Sequence, residues 1–161
     1  MKKPQQGFSL IELLIVVAII LIIAAIAIPN LLRSKMAANE ASAVGSIRTI
    51  NTAEVTYSVA YPTVGFGSLA QLGGVAATCA TATGATSAGA CLIDAVLAGG
   101  TKSGYNFTAV ASVGVPPATY TSTAVPVAPG QTGQRNFCSD QSGVVRATQN
   151  PTACNNTSSA L

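Results

Sequence analysis

GFSLIELLIVVAIILIIAAIAIP, residues 7–29, is the stretch on which the reading of this chain turns. From Leu13 to Ile28 all 16 residues are apolar, yet Glu12 stands just inside the same run. As an α-helix, residues 8–28 would extend about 32 Å, close to the roughly 30 Å of a bilayer's hydrocarbon core. A charged side chain at the centre of a membrane helix costs about 2.5 to 3.5 kcal/mol on insertion scales, so the acid needs a reason to be there. One reason is local. A carboxylate in the first turn of a helix is favoured by the macrodipole, and Glu12 lies four residues from Phe8 on the same helical face.

Upstream, Lys2 and Lys3 begin a short polar leader that ends at Gly7. By the positive-inside rule they hold the N-terminus in the cytoplasm and place everything after Pro29 across the membrane. A general secretory signal, cut near Ala25 and Ala27, fits less well, because its apolar region normally spans only about 7 to 15 residues and carries no acid.

Lys2, Lys3, Gly7, Phe8, Ser9, Leu10, Ile11, Glu12 and the apolar run together resemble the class III signal of type IV prepilins, over roughly the first 30 residues. The resemblance implies that a prepilin peptidase/methyltransferase cuts between Gly7 and Phe8 and methylates the new Phe8 amine. It also implies that Glu12 of one subunit neutralises the Phe8 amine of a neighbour when helices stagger into a bundle, which fixes their register. The expected partners are copies of the chain itself, the processing enzyme, the pilus assembly machinery and the inner membrane. The precursor is then a single-pass inner-membrane protein with its N-terminus inside, and the assembled form an extracellular pilus. Many pilins carry a glycine where this chain has Leu21; here Pro29 alone is left to kink or locally melt the helix.

Beyond Pro29 the helix is expected to continue to about Tyr61, with Met36, Ala43, Ile47, Ile50, Ala53 and Tyr57 on one face and Arg33, Lys35, Glu40, Arg48 and Glu54 mostly elsewhere. Pro62 ends it. Residues 62–103, rich in Gly, Ala, Thr and Ser, read as a long connection in which Leu92–Gly99 forms a short helix. Alternation from Tyr105 to Val113, a Thr/Val-rich run over 118–125, and a hairpin from 135–138 to 144–148 read as strands. The expected class is α+β: a long N-terminal helix, membrane-spanning in its first half, packed by its second half against an antiparallel sheet of about four strands. The corresponding segments are a leader over 1–7, a membrane or filament-core helix over 8–29, and a head over 30–161. Within the head lie helix 30–61, loop 62–103, sheet 104–148 and a disulfide-closed loop over 138–161.

Cys79, Cys91, Cys138 and Cys154 all follow the apolar segment, which points to disulfides formed in an oxidising compartment. Four cysteines permit three pairings; proximity favours Cys79 with Cys91 and Cys138 with Cys154 without settling it. Removal of the leader leaves six cations against five acids, a net +1, with no basic stripe suited to nucleic acid. Histidine is absent, no P-loop or nucleophile elbow is present, and Asp94 and Asp140 are isolated. The reading is therefore of a structural subunit, not an enzyme, with no cofactor and no metal. The alternatives are a pseudopilin of type II secretion and a minor tip pilin acting as a binding module.

Overall fold

A computed structural model describes residues 8–74, 79 and 84–161; the leader, including Lys2, Lys3 and Gly7, lies outside the described residues. The chain divides into two compact units, Met1–Lys35 and Met36–Leu161.

The first unit is helical from Leu10, where α1 (Leu10–Ala60) begins. Ser9 and Glu12 open it with half of a capping box. The Ser9 N–H, which the helix ladder leaves without an acceptor, donates to Glu12 Oε2 at 2.9 Å. Pro29 lies inside α1 and contributes no N–H, so the Ala25 carbonyl loses its helical donor. Leu10, Leu13, Leu14, Val17 and Leu21 line one apolar groove along the helix, and each is more than two-fifths exposed. This is the one helix among the described residues long and apolar enough to cross a membrane.

The second unit, the head, is built on the later turns of α1. Ala43, Ser46, Ile47, Ile50, Asn51, Ala53, Glu54 and Tyr57 are buried there, recurring at intervals of three and four residues. The expected apolar positions Ala43, Ile47, Ile50, Ala53 and Tyr57 are all among them, whereas Met36 is only half-buried. Glu54 was expected off this face and is instead completely buried on it.

The sheet facing this helix has six antiparallel strands in sequential order rather than about four. They are β1 (Thr101–Lys102), β2 (Tyr105–Ala111), β3 (Tyr120–Pro126), β4 (Arg135–Asp140), β5 (Arg146–Gln149) and β6 (Ser159–Ala160). The two additional strands have two residues each, too short to carry an alternating pattern. Their pairing is set by what flanks them. Ser103 and Gly104, at φ of 50° and 74°, form the two-residue turn that folds β1 onto β2, bringing Lys102 opposite Tyr105. β6 pairs with β5, Ala160 opposite Arg146, downstream of the Cys138–Cys154 disulfide.

β2 alternates cleanly, with Tyr105, Phe107 and Ala109 inward and Asn106, Thr108 and Val110 outward. It stops at Ala111, leaving Val113 fully exposed in the turn. β4 is buried on both faces, since Phe137 and Ser139 meet the core while Asn136 and Cys138 are covered by the C-terminal segment. Among its described residues the 62–103 connection includes the single-turn helices α2 (Leu69–Leu72) and α3 (Ala95–Ala98). Ser68 and Gln71 cap α2 reciprocally, Asp94 accepts from Leu97 N to cap α3, and Leu72 and Leu97 are fully buried.

Candidate assembly site

Each unit carries an acid that the surrounding chemistry makes informative. In the first, Glu12 sits at the third helical position with the Ser9 N–H as its only partner among the described residues. Phe8, four residues away, is 83% exposed, and its nitrogen is a peptide amide while the leader is attached. The structure thus places Phe8 and Glu12 together at the helix start. Pro29 lies inside α1 at the end of the apolar run, and Gly7 is outside the described residues.

The head is self-contained by comparison. Glu40 Oε1 accepts from the backbone N–H groups of Gln134 and Arg135, and Glu40 Oε2 takes the Arg135 Nε–H at 2.8 Å. This carboxylate, occupied on both oxygens, clasps α1 to the start of β4. The Arg135 guanidinium lies 5.3 Å from the Phe137 ring centroid. Next along the helix, Asn51 Nδ2 donates to Ser139 Oγ at 2.8 Å, and Tyr120 OH donates to Asn51 Oδ1 at 3.1 Å. Ser139 in turn donates to the Val144 carbonyl, so this buried polar cluster is closed on itself. Desolvation pushes the Tyr120 hydroxyl up to about 12, with the charges of Glu54 and Asp140 adding to the shift.

Glu54 completes the series. Its Oε2 accepts from Gly67 N at 3.0 Å, which ties α1 to the loop after it, while Oε1 has no hydrogen-bond partner among the described residues. Burial raises its carboxyl to about 7, only partly offset by the Gly67 hydrogen bond. The four cysteines form two disulfides in this unit, Cys79–Cys91 and Cys138–Cys154, and none is free. No cluster of potential metal ligands is present among the described residues.

Asn51 and Glu54 are polar, so apolar periodicity alone leaves Asn51 out of the helical face and sets Glu54 off it. Their spacing from Ile47 and Ile50 was the available signal. Likewise, Ser9 and Glu12 spell the S-x-x-E capping pattern directly.

The helix start also decides what the chain is similar to. Residues 2–28 match the family model described as the prokaryotic N-terminal methylation motif. These residues carry the motif and are similar to the N-termini of type IV pilins. The chain is similar to the type IV major pilin protein PilA of Myxococcus xanthus, 44% identical over 53 residues, covering 33% of this chain and 24% of that protein. The type IV wide pilus major component PilA4 of Thermus thermophilus is 58% identical over 38 residues, 24% of this chain and 29% of its own length. The chain thus spans less than a third of the length of these curated relatives in each match. No solved structure matches it. The pilin-like α+β head therefore rests on its own architecture, a helix face packed on an antiparallel sheet.

Proposed function

We propose that this chain is the structural subunit of a type IV pilus, held as a single-pass membrane precursor and polymerised through α1 into a surface filament. The observation that carries the proposal is Glu12, an acid held among the described residues only by the Ser9 N–H, at the head of an exposed apolar helix that matches the methylation motif. Both curated relatives are described as major components or major pilins, which favours a principal subunit over a pseudopilin or a tip protein.

In this reading a prepilin peptidase cuts between Gly7 and Phe8, converting an uncharged amide into an amine and methylating it. Glu12 then exchanges its local capping role for the Phe8 amine of an adjacent subunit. The pair forms in an apolar bundle, where either charge alone is strongly disfavoured, so only registers that bring the two together are populated. The missing donor at Pro29 marks where the helix loosens to fit that bundle. The head, placed outside the membrane, supplies the filament's outer surface, and the role requires no catalytic group.

Glu12→Ala should leave leader removal close to wild type, as read by mass spectrometry of the mature N-terminus. It should reduce sheared filaments by at least about a hundredfold, the consequence of an unpaired buried charge costing roughly 3 to 5 kcal/mol. Wild-type filament yield from this variant would overturn the assembly role.

A further inference from the structure

Arg33 and Lys35 are the first charges after the apolar run, and they differ from two of the four cations of the head, while Arg48 and Arg146 also form no ion pair among the described residues. Arg135 and Lys102 are neutralised by Glu40 and Asp94, at 2.8 and 2.9 Å. Arg33 and Lys35 are exposed and form no ion pair among the described residues. Glu40, the nearest acid in sequence, has both oxygens occupied by Gln134 and Arg135.

Two positions apart on an α-helix, the two side chains leave the axis about 200° from one another. They therefore cannot both address one protein neighbour lying along a single face. A layer that surrounds the helix on every side satisfies both. The Cα atoms of Arg33 and Lys35 follow Ile28 by about 7.5 and 10.5 Å of helical rise, and a bilayer's polar layer adds roughly 5 to 8 Å beyond each edge of the hydrocarbon. Long cationic side chains reach back toward that layer while their stems stay on apolar surface. Leu31 and Leu32, exposed beside them, supply that surface.

We propose that Arg33 and Lys35 form a cationic girdle that binds the phosphates of lipid headgroups on the far side of the membrane, setting the depth at which the unassembled subunit rests. This inference rests on the reading of residues 8–28 as a membrane span. It also gives the leader a second task. Lys2 and Lys3 outweigh the girdle in setting topology; once they are removed, the Phe8 amine and Glu12 cancel on the inner side, and Arg33 and Lys35 are the remaining net charge flanking the span. The mature subunit is then retained by phosphate contacts that must be released for it to enter a filament.

The test uses the full chain in phosphatidylethanolamine vesicles with and without phosphatidylglycerol. Solid-state NMR would read carbon–phosphorus contacts from labelled arginine Cζ and lysine Cε, and contacts of labelled Ile19 with acyl chains. Phosphate contacts that disappear in Arg33→Gln and Lys35→Gln, with Ile19 still against acyl chains, are the expected result. Each substitution should also weaken retention in the anionic vesicles about fivefold, the value of one cation near an anionic surface. Acyl contacts at Ile19 without phosphate contacts at Arg33 and Lys35 would overturn the girdle and leave the span standing. Carboxylate contacts from another copy in their place would overturn it in favour of pairing between subunits. Loss of the Ile19 contacts as well would overturn the span and the girdle together.

Discussion

The two units of this molecule treat the same kinds of residue in opposite ways. Among the described residues of Met1–Lys35 the large apolar side chains are exposed, and the one acid has a single backbone partner. In Met36–Leu161 the apolar face of α1 is buried in a core shared with β2, β3 and β4, and Glu40 and Asn51 are fully engaged. A surface as apolar as the first unit's is not sustained in water, so its stabilisation comes from lipid or from copies of itself. The head finds its stabilisation within the chain. The difference teaches that a single continuous helix can serve two environments, because burial is decided by what the sequence offers on each side of about residue 35.

The largest separation between the units should come from deleting apolar volume in each. Phe137 is fully buried at the centre of the core, with its ring 5.8 Å from that of Tyr105. Phe137→Ala should destabilise the head by about 3 to 5 kcal/mol. Ile19, 53% exposed in the first unit, has no cavity to leave behind. Ile19→Ala should leave head unfolding unchanged within about 0.5 kcal/mol while weakening filaments. Denaturant unfolding of the full chain in detergent micelles, followed by tyrosine fluorescence, reads both. An equal loss from Ile19→Ala would erase the distinction.

Much of this division is legible in the sequence, for reasons particular residues make plain. The run from Leu13 to Ile28 declares a membrane-length helix by composition alone, and the strict alternation in Tyr105–Ala109 declares β2 by period. The class of fold, the positions of β2 to β5 and the short helix after Asp94 follow from such local signals. What local signals do not carry is long-range satisfaction. Glu40 reads as a surface acid until Gln134 and Arg135 are brought to it from over 90 residues away. β1 and β6 are too short to have a period, and only the Ser103–Gly104 turn hints at the first of them. The glycine at 133 likewise reads as a loop residue, whereas a Cβ there would collide with the Tyr105 hydroxyl.

Glu54 sharpens the comparison with the opposite sign, since it is an acid the head would be more stable without. Its carboxyl stands at about 7 in the folded protein against an ordinary 4.5, so the native state holds a proton that the unfolded chain releases between those values. Stability from this group is therefore greatest below about pH 4.5 and declines as pH rises to about 7, by on the order of 3 kcal/mol. Glu54→Gln keeps an acceptor for the Gly67 N–H and removes the ionisation. The variant should exceed wild type by about 2 kcal/mol at pH 8 and fall about 1 kcal/mol below it near pH 4, since an amide newly placed at the position of Oε1 carries a pH-independent cost. Asp94 and Asp140, whose carboxyls are held low by hydrogen bonds, lose their contribution at acid pH in both proteins and cancel in the difference. A stability difference independent of pH would show that the Glu54 carboxylate is not desolvated.

The smallest effect belongs to the ion pair that most resembles an ordinary surface contact. Lys102 Nζ lies 2.9 Å from Asp94 Oδ2, with the two side chains 33% and 48% exposed. Asp94 also caps α3 through Leu97 N, so its carboxylate is held in place whether or not the lysine is present. The pairing is screened by water and salt, and exposed pairs of this kind contribute about 0.2 to 1 kcal/mol. Lys102→Ala should therefore lower head stability by less than about 0.5 kcal/mol, and the difference should vanish in 1 M salt. Asp94→Ala removes the cap as well and should cost about 1 kcal/mol more, a part that salt does not abolish. If the two variants prove equal at every ionic strength, the cap contributes nothing, and α3 is held by the burial of Leu97 alone.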